Sequence, residues 1–141
     1  MIVLDTTVLT YAVGAEHEYR DPCRDLIEAV GSGRLRATTT VEVIQEFAHV
    51  RARRRGRPDA RRLASAYVDL LAPLLVSSEA SLRAGLELWA TSEALGAFDA
   101  VLAAVAKDTG AAALVSTDRG FVDVPGLRVL DPDRAVAALL S

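Results

Sequence analysis

Short apolar runs alternate with longer segments of helical periodicity along the chain. Four runs predict buried strands, at residues 1–4, 35–39, 111–116 and 127–130. The longer segments predict helices at residues 6–13, 22–30, 40–55, 59–75, 81–92, 98–109 and 132–140. Residues 76–77 form either a further brief strand or a link. The alternation indicates helices packed on a small sheet rather than a β-sandwich.

This order of elements predicts an α/β fold over residues 1–141, taken as one domain. We expect a central, mainly parallel sheet of four to five short strands, flanked by helices. Ligands of such sheets bind beyond the carboxyl ends of the strands. Asp5 and Asp118 each follow a predicted strand, so we expect both at one rim of the sheet as a candidate cation site.

Composition favours a globular protein and argues against disulfide-bonded, secreted and membrane-spanning classes. Apolar residues make up 51% of the chain, enough for a sizeable core. The single cysteine, Cys23, excludes an internal disulfide and a cysteine-based zinc cluster, and we interpret it, like Trp89, as a core residue. No secretory signal is recognisable and no apolar segment approaches the ~20 residues that span a bilayer. We therefore expect a cytoplasmic protein with no membrane association.

Basic residues cluster in one stretch although the net charge is −3. Seven of the 16 Lys and Arg residues lie between positions 51 and 62. The planar guanidinium group suits phosphate, which makes the first four arginines candidate RNA contacts: Arg51, Arg53, Arg54 and Arg55. A solvated helix end is an equal alternative, because cations near a helix C-terminus complement its dipole.

Acidic residues beside the predicted elements suggest metal chemistry. Hard cations such as Mg²⁺ and Mn²⁺ prefer oxygen ligands, and phosphodiester cleavage needs its developing negative charge neutralised. Each acid also has an ordinary explanation. Asp5 and Asp99 suit helix caps and Asp118 suits a turn. Glu46 suits a solvated helix face, which it shares with Glu42, so spacing alone does not choose between the two.

The surroundings of these acids form an ordered set of motifs: VLDTT at Asp5, QEF at Glu46, FDA at Asp99 and VSTDRGF at Asp118. In this order they resemble the PIN-domain family. More specifically, the chain resembles the toxin ribonucleases of VapBC-type toxin–antitoxin pairs. The resemblance runs from residue 2 to about residue 130.

The resemblance implies a metal-dependent endoribonuclease, the toxin of a type II toxin–antitoxin system, that hydrolyses RNA by metal-activated water and leaves a 5′-phosphate. It favours Glu46 over Glu42. It implies four catalytic residues that also bind Mg²⁺ or Mn²⁺, here called the four acids: Asp5, Glu46, Asp99 and Asp118. It makes Thr7 and Ser116 supporting residues. The implied partners are RNA, a small cognate VapB-type antitoxin and a second copy of the chain in a homodimer.

Two other functions stay open. A phosphatase of the haloacid-dehalogenase type would use Asp5 as a covalent nucleophile. That family usually has a second Asp where Thr7 stands and a downstream Lys, whereas the only lysine, Lys107, lies inside a predicted helix. The other alternative is a non-catalytic PIN-like module that binds RNA or protein. We interpret His17 and His49 as incidental to the chemistry.

Overall fold

The structure, a computed structural model, describes all residues from 1 to 141. Its four strands are β1 (Ile2–Leu4), β2 (Ala37–Thr38), β3 (Ala113–Val115) and β4 (Val129–Leu130). They form one parallel sheet in the order β2-β1-β3-β4. The predicted α/β fold with a small parallel sheet is confirmed, with strands shorter than predicted.

Seven α-helices flank the sheet, each at a predicted place. They are α1 (Thr6–Ala12), α2 (Arg20–Gly31), α3 (Val41–Arg55), α4 (Arg57–Leu71), α5 (Glu79–Thr91), α6 (Ala97–Asp108) and α7 (Pro132–Leu139). A short 3-10 helix spans Arg119–Phe121. None of the helices has the length and apolar character needed to cross a bilayer.

One predicted helix end is wrong, and one open alternative is resolved. The predicted helix 59–75 ends at Leu71 because a proline disfavours helical backbone at the residue before it, and Ala72 precedes Pro73 in extended conformation. Residues 76–77 form no strand and serve as a link. The nearest pairing is one parallel bridge between Thr40 and Leu75.

The core lies on both faces of the two central strands. All residues of β1 and β3 are buried, so they show no alternation of apolar and polar positions. Phe47 of α3 packs edge-on against Tyr67 of α4, with ring centroids 5.0 Å apart. Cys23 is buried as interpreted, whereas Trp89 is 48% exposed, so its assignment to the core is wrong.

The parallel order brings the carboxyl ends of all four strands to one edge of the sheet. There the backbone N–H of Asp5 donates to the carbonyl of Val115 at 3.0 Å. Thr39, which follows β2, donates through Oγ1 to the carbonyl of Leu4 at 2.6 Å. These hydrogen bonds continue the strand pairing one residue beyond the ends of the strands. The residues that follow β1 and β3 are therefore held side by side.

Candidate active site

All of the four acids line one cavity, of about 510 Å³, at the carboxyl edge of the sheet. Asp5 follows β1, Glu46 lies in α3, Asp99 in α6 and Asp118 follows β3. Four separate elements therefore deliver one carboxylate each. Glu42, one turn before Glu46, is exposed and is not part of the lining.

Asp5 is the most buried of these acids, with 5% of its surface exposed. It occupies the N-cap position of α1 but makes no capping hydrogen bond with its side chain. Its Oδ2 instead accepts from Ser116 Oγ at 2.7 Å and from Thr7 Oγ1 at 3.2 Å. Burial raises the pKa of Asp5, and the nearby charge of Asp118 adds to the rise, against the effect of these hydrogen bonds. The side chain of Asp5 therefore does not cap α1, and its carboxylate lines the cavity instead.

Asp99 lies in the first turn of α6 rather than ahead of it, because the helix already begins at Ala97. Gly96 occupies the N-cap position, and Asp99 forms no cap. Burial, aided by the negative charges of Asp5, Asp118 and Glu46 and by a hydrogen bond shared with Asp118, raises the pKa of Asp99 to about 7. The carboxylates are therefore close enough to repel one another.

Glu46 and Asp118 are more exposed than the other two acids and are also tethered. Thr6 Oγ1 donates to Glu46 Oε2 at 3.1 Å, which ties α1 to α3. Asp118 Oδ1 accepts from the backbone N–H of Gly120 at 2.8 Å, so the turn role expected for an Asp also exists here. The Asp118 carboxylate thus holds the turn after β3 and also lines the cavity.

Thr7 and Ser116 connect the two strand ends. Ser116 Oγ donates to Asp5 and also accepts from the backbone N–H of Asp118 at 2.9 Å. Thr7 Oγ1 donates to Asp5 and accepts from the N–H of Thr117 at 3.2 Å. Each hydroxyl thus holds Asp5 with one side and the segment after β3 with the other.

The donor chemistry of the cavity fits a hard divalent cation. The four acids offer oxygen only, and their mutual repulsion, seen in the raised pKa of Asp99, is what a cation would relieve. No three histidine, cysteine or carboxylate side chains are already gathered as a preformed ligand set. The acids therefore line one cavity and repel one another electrostatically, but they form no ready ligand set. A cation would have to draw them together.

The arginine cluster separates into different environments. Arg51 has 15% of its side chain exposed, because Nε donates to Asp59 Oδ1 at 2.6 Å and Nη1 donates to the carbonyl of Val13 at 3.0 Å. This pairing lowers the pKa of Asp59. Arg53 and Arg55 are exposed outside the cavity, whereas Arg54 lines it. Arg51 therefore joins α3 to α4 and has little surface left for RNA.

Sequence reasoning missed an aromatic side of the cavity. Tyr11 and His17 both line it, with their rings stacked at a centroid distance of 4.5 Å. The interpretation of His17 as incidental overlooked this position, whereas His49 is exposed and lies outside the lining. The available signal was the grouping of Tyr11, His17 and Tyr19 in a chain with only 5% aromatic residues.

The chain is similar to known proteins of one family. The family model described as PIN domain matches residues 2–127. Ribonuclease VapC7 of Mycobacterium tuberculosis is 54% identical to the chain over 136 residues, which cover 96% of this chain and 94% of the relative. Ribonuclease VapC13 of the same organism is 28% identical over 130 residues, which cover 92% and 99% of the two chains.

Several solved structures share the fold. VapBC2 from Rickettsia felis, bound to a DNA fragment from its promoter, superposes with a TM-score of 0.73 at 18% identity, over 93% of this chain and 98% of the other. VapC20 of Mycobacterium tuberculosis, a toxin that cleaves the sarcin–ricin loop, gives a TM-score of 0.72 at 15% identity, over 91% and 99%.

Proposed function

Because the chain belongs to the PIN domain family, we propose that it is the toxin ribonuclease of a type II toxin–antitoxin system. It is an endoribonuclease that hydrolyses RNA phosphodiester bonds with the help of a divalent cation. The observation that carries this conclusion is the convergence of four carboxylates from four elements on one cavity. The names of its relatives, which are ribonucleases, point the same way.

We propose that the cation of this chain is Mg²⁺ or Mn²⁺, since every candidate donor is a carboxylate oxygen. Asp5 and Asp99 would be its main ligands, and Glu46 and Asp118 would complete the set. A cation held there would lower the pKa of a bound water and would neutralise negative charge on the phosphate. The reading of residues 1–141 as one PIN-like domain stays a prediction.

The side chains of the cavity then position the reaction. Glu46 or Asp118 accepts a hydrogen bond from the attacking water and turns its oxygen towards phosphorus. A new bond forms between that oxygen and phosphorus, the bond from phosphorus to the 3′ oxygen breaks, and the proton that the water releases passes through solvent to the 3′ oxygen. The products are a 3′-hydroxyl and a 5′-phosphate. Ser116 and Thr7 keep the carboxylate of Asp5 in place throughout.

The test of this proposal is cleavage of total RNA by the purified chain, with and without added Mg²⁺ or Mn²⁺, beside the Asp99→Asn variant. We expect cleavage by the unaltered chain only with a divalent cation, and 5′-phosphate ends on the products. The variant should lose at least about 100-fold in rate. Cleavage that persists in EDTA, or an Asp99→Asn variant as active as the parent, would contradict the proposal.

The proposal includes a small VapB-type antitoxin and a homodimer as protein partners. A VapBC2 pair is among the solved structures that share this fold. The chain also leaves an apolar stripe on one face of α5, formed by Leu82, Leu86 and Trp89, each at least 42% exposed. Expression with the neighbouring small reading frame should yield a complex that does not cleave RNA. A chain that is never bound or inhibited by such a product would refute the antitoxin.

The phosphatase alternative has less support. Asp5 Oδ2 is engaged by two hydroxyl donors, and Lys107 is absent from the cavity lining. A covalent phosphoenzyme would need Asp5 as a free nucleophile with a cation such as Lys beside it. Trapping of a phosphorylated Asp5 after incubation with a phosphomonoester would favour the phosphatase over the ribonuclease.

A further inference from the structure

One side of the cavity is aromatic and plays no part in the carboxylate chemistry. The rings of Tyr11 and His17 are stacked with an angle of 28° between their planes. Tyr19 flanks both rings, at centroid distances of 5.7 Å. A stacked aromatic pair in the same cavity as a phosphodiester-cleaving centre matches the way proteins hold unpaired bases.

Resting on the ribonuclease function, we propose that Tyr11 and His17 form a base-stacking subsite for an unpaired nucleotide of the RNA, beside the phosphate that is cleaved. Arg54, on the same cavity, binds a phosphate next to that nucleotide. The substrate class is therefore single-stranded RNA, a loop or an end whose base can leave its own stack.

The rings of Tyr11 and His17 are held in a fixed orientation. The backbone N–H of Tyr19 donates to His17 Nδ1 at 3.1 Å, which sets the orientation of the imidazole and leaves Nε2 as its free polar atom. Tyr11 packs against the core as well as against His17, so it is anchored from below. His17 is exposed, which leaves its ring accessible to a base. An oriented ring loses little freedom when a base stacks on it.

Arg54 offers a nucleotide phosphate a counter-charge in an otherwise acidic cavity. Arg54 is the only Lys or Arg in the lining, among the four acids and Glu16. A phosphate entering this negative surface needs Arg54 or the cation as its counter-charge. The cavity, at about 510 Å³, is larger than a phosphate and a cation require and is within the range of small-molecule sites. Space for a base therefore exists next to the reacting centre.

The test compares single-stranded RNAs that lack one base at a time around a mapped cleavage point. For the unaltered chain, removing the stacked base should raise KM about 5- to 160-fold, since base–aromatic stacking is worth about 1–3 kcal/mol. In that comparison kcat should change little. His17→Ala should cleave the intact and abasic RNAs with the same KM. His17→Phe, which keeps a flat ring, should restore most of the difference.

Matched variants separate the subsite from general effects. His49→Ala removes the other histidine, which lies outside the lining, and should leave the discrimination intact. Arg54→Ala should weaken binding to intact and abasic RNA equally and lower the salt dependence, whereas Arg53→Ala should do neither. Circular dichroism and thermal melting show whether each variant is folded.

The outcomes are distinguishable from failure of the ribonuclease itself. If the unaltered chain cleaves RNA but His17→Ala keeps the full preference for the intact base, the subsite is wrong and the ribonuclease function stands. If no RNA is cleaved, the ribonuclease function is wrong. Anisotropy with a fluorescent polyuridine RNA and a base-free sugar–phosphate chain then decides the subsite: equal affinities of the unaltered chain for both probes would overturn it.

Discussion

Ser116 Oγ donates a hydrogen bond to Asp5 Oδ2 at 2.7 Å, although 111 positions separate the two residues. The same oxygen accepts from the backbone N–H of Asp118 at 2.9 Å. One buried hydroxyl thus fixes the carboxylate that follows β1 and the segment that carries the acid after β3. Because β1 and β3 are adjacent and parallel, this link follows from the order of the strands.

Ser116→Ala should lower kcat/KM for RNA cleavage about 10- to 100-fold. Loss of a hydrogen bond that orients a metal-binding carboxylate has effects of this size. The fold should persist, because the strand ladder around Ser116 does not use its hydroxyl. Steady-state cleavage of a fluorescent RNA measures the loss. Ser116→Thr is the control, since it keeps the hydroxyl, and an equal loss in both variants would show that the hydroxyl is not what matters.

Glu46 and Glu42 should respond differently to the same substitution. Glu46→Gln should reduce the cleavage rate at least about 100-fold, because it removes one negative charge from the cavity that holds the cation. Glu42→Gln changes an exposed side chain outside that cavity and should stay within about twofold of the parent. Single-turnover rates at saturating Mn²⁺ give the comparison. A larger loss for Glu42→Gln than for Glu46→Gln would mean that the wrong glutamate has been assigned.

Asp99→Asn should stabilise the metal-free protein above neutral pH. Burial and neighbouring carboxylates raise the pKa of Asp99 from 3.8 to about 7, so the folded chain holds a proton that the unfolded chain releases. Stability therefore falls as pH rises from about 4 to about 7, and the loss is complete above that range. After allowance for solvent screening at a half-buried group, the variant should gain about 1–2 kcal/mol at pH 8.

Denaturant unfolding in EDTA at pH 5 and pH 8 measures this gain. The control is Asp123→Asn, which removes an exposed acid in the loop after Asp118, outside the cavity. It should change stability by less than about 0.5 kcal/mol at both pH values. The electrostatic account of Asp99 fails if its variant is no more stable than the parent at pH 8.

Gly85 sets the distance between α5 and α6, the helix that carries Asp99. A Cβ atom on Gly85 would lie 2.7 Å from Cα of Val101, a backbone atom that cannot turn away. Gly85→Ala should therefore cost about 1–3 kcal/mol of stability and lower activity by moving α6. Gly96→Ala is the matched control, because its Cβ would meet nothing within 4 Å and its φ is −72°. Equal melting temperatures for the two variants would contradict this packing.

The sequence predicted the sheet and the helices because their signals are local. Apolar runs such as residues 113–115 and helical periodicity are properties of neighbours along the chain. The order of the motifs was enough to name four acids that line one cavity and to prefer Glu46 over Glu42. Helical periodicity does not register the effect of Pro73 on the residue before it, so the predicted helix continues past the end of α4.

Pairings between distant residues could not be predicted in the same way. The ion pair of Arg51 with Asp59 depends on how α3 packs against α4, and an arginine cluster has the same sequence whether it is paired or free. The stacking of His17 on Tyr11 depends on the path of the connection between α1 and α2, which no periodicity encodes. The exposure of Trp89 likewise follows from which face of α5 meets α6.

The central claim is that the four carboxylates together bind the divalent cation. It is tested most directly by titrating Mn²⁺ into the protein and measuring free Mn²⁺ by electron paramagnetic resonance. Each of the variants Asp5→Asn, Glu46→Gln, Asp99→Asn and Asp118→Asn should weaken Mn²⁺ binding about tenfold or more, whereas Glu42→Gln should bind as the unaltered chain does. Unchanged affinity in the Asp5→Asn and Asp99→Asn variants would contradict the account.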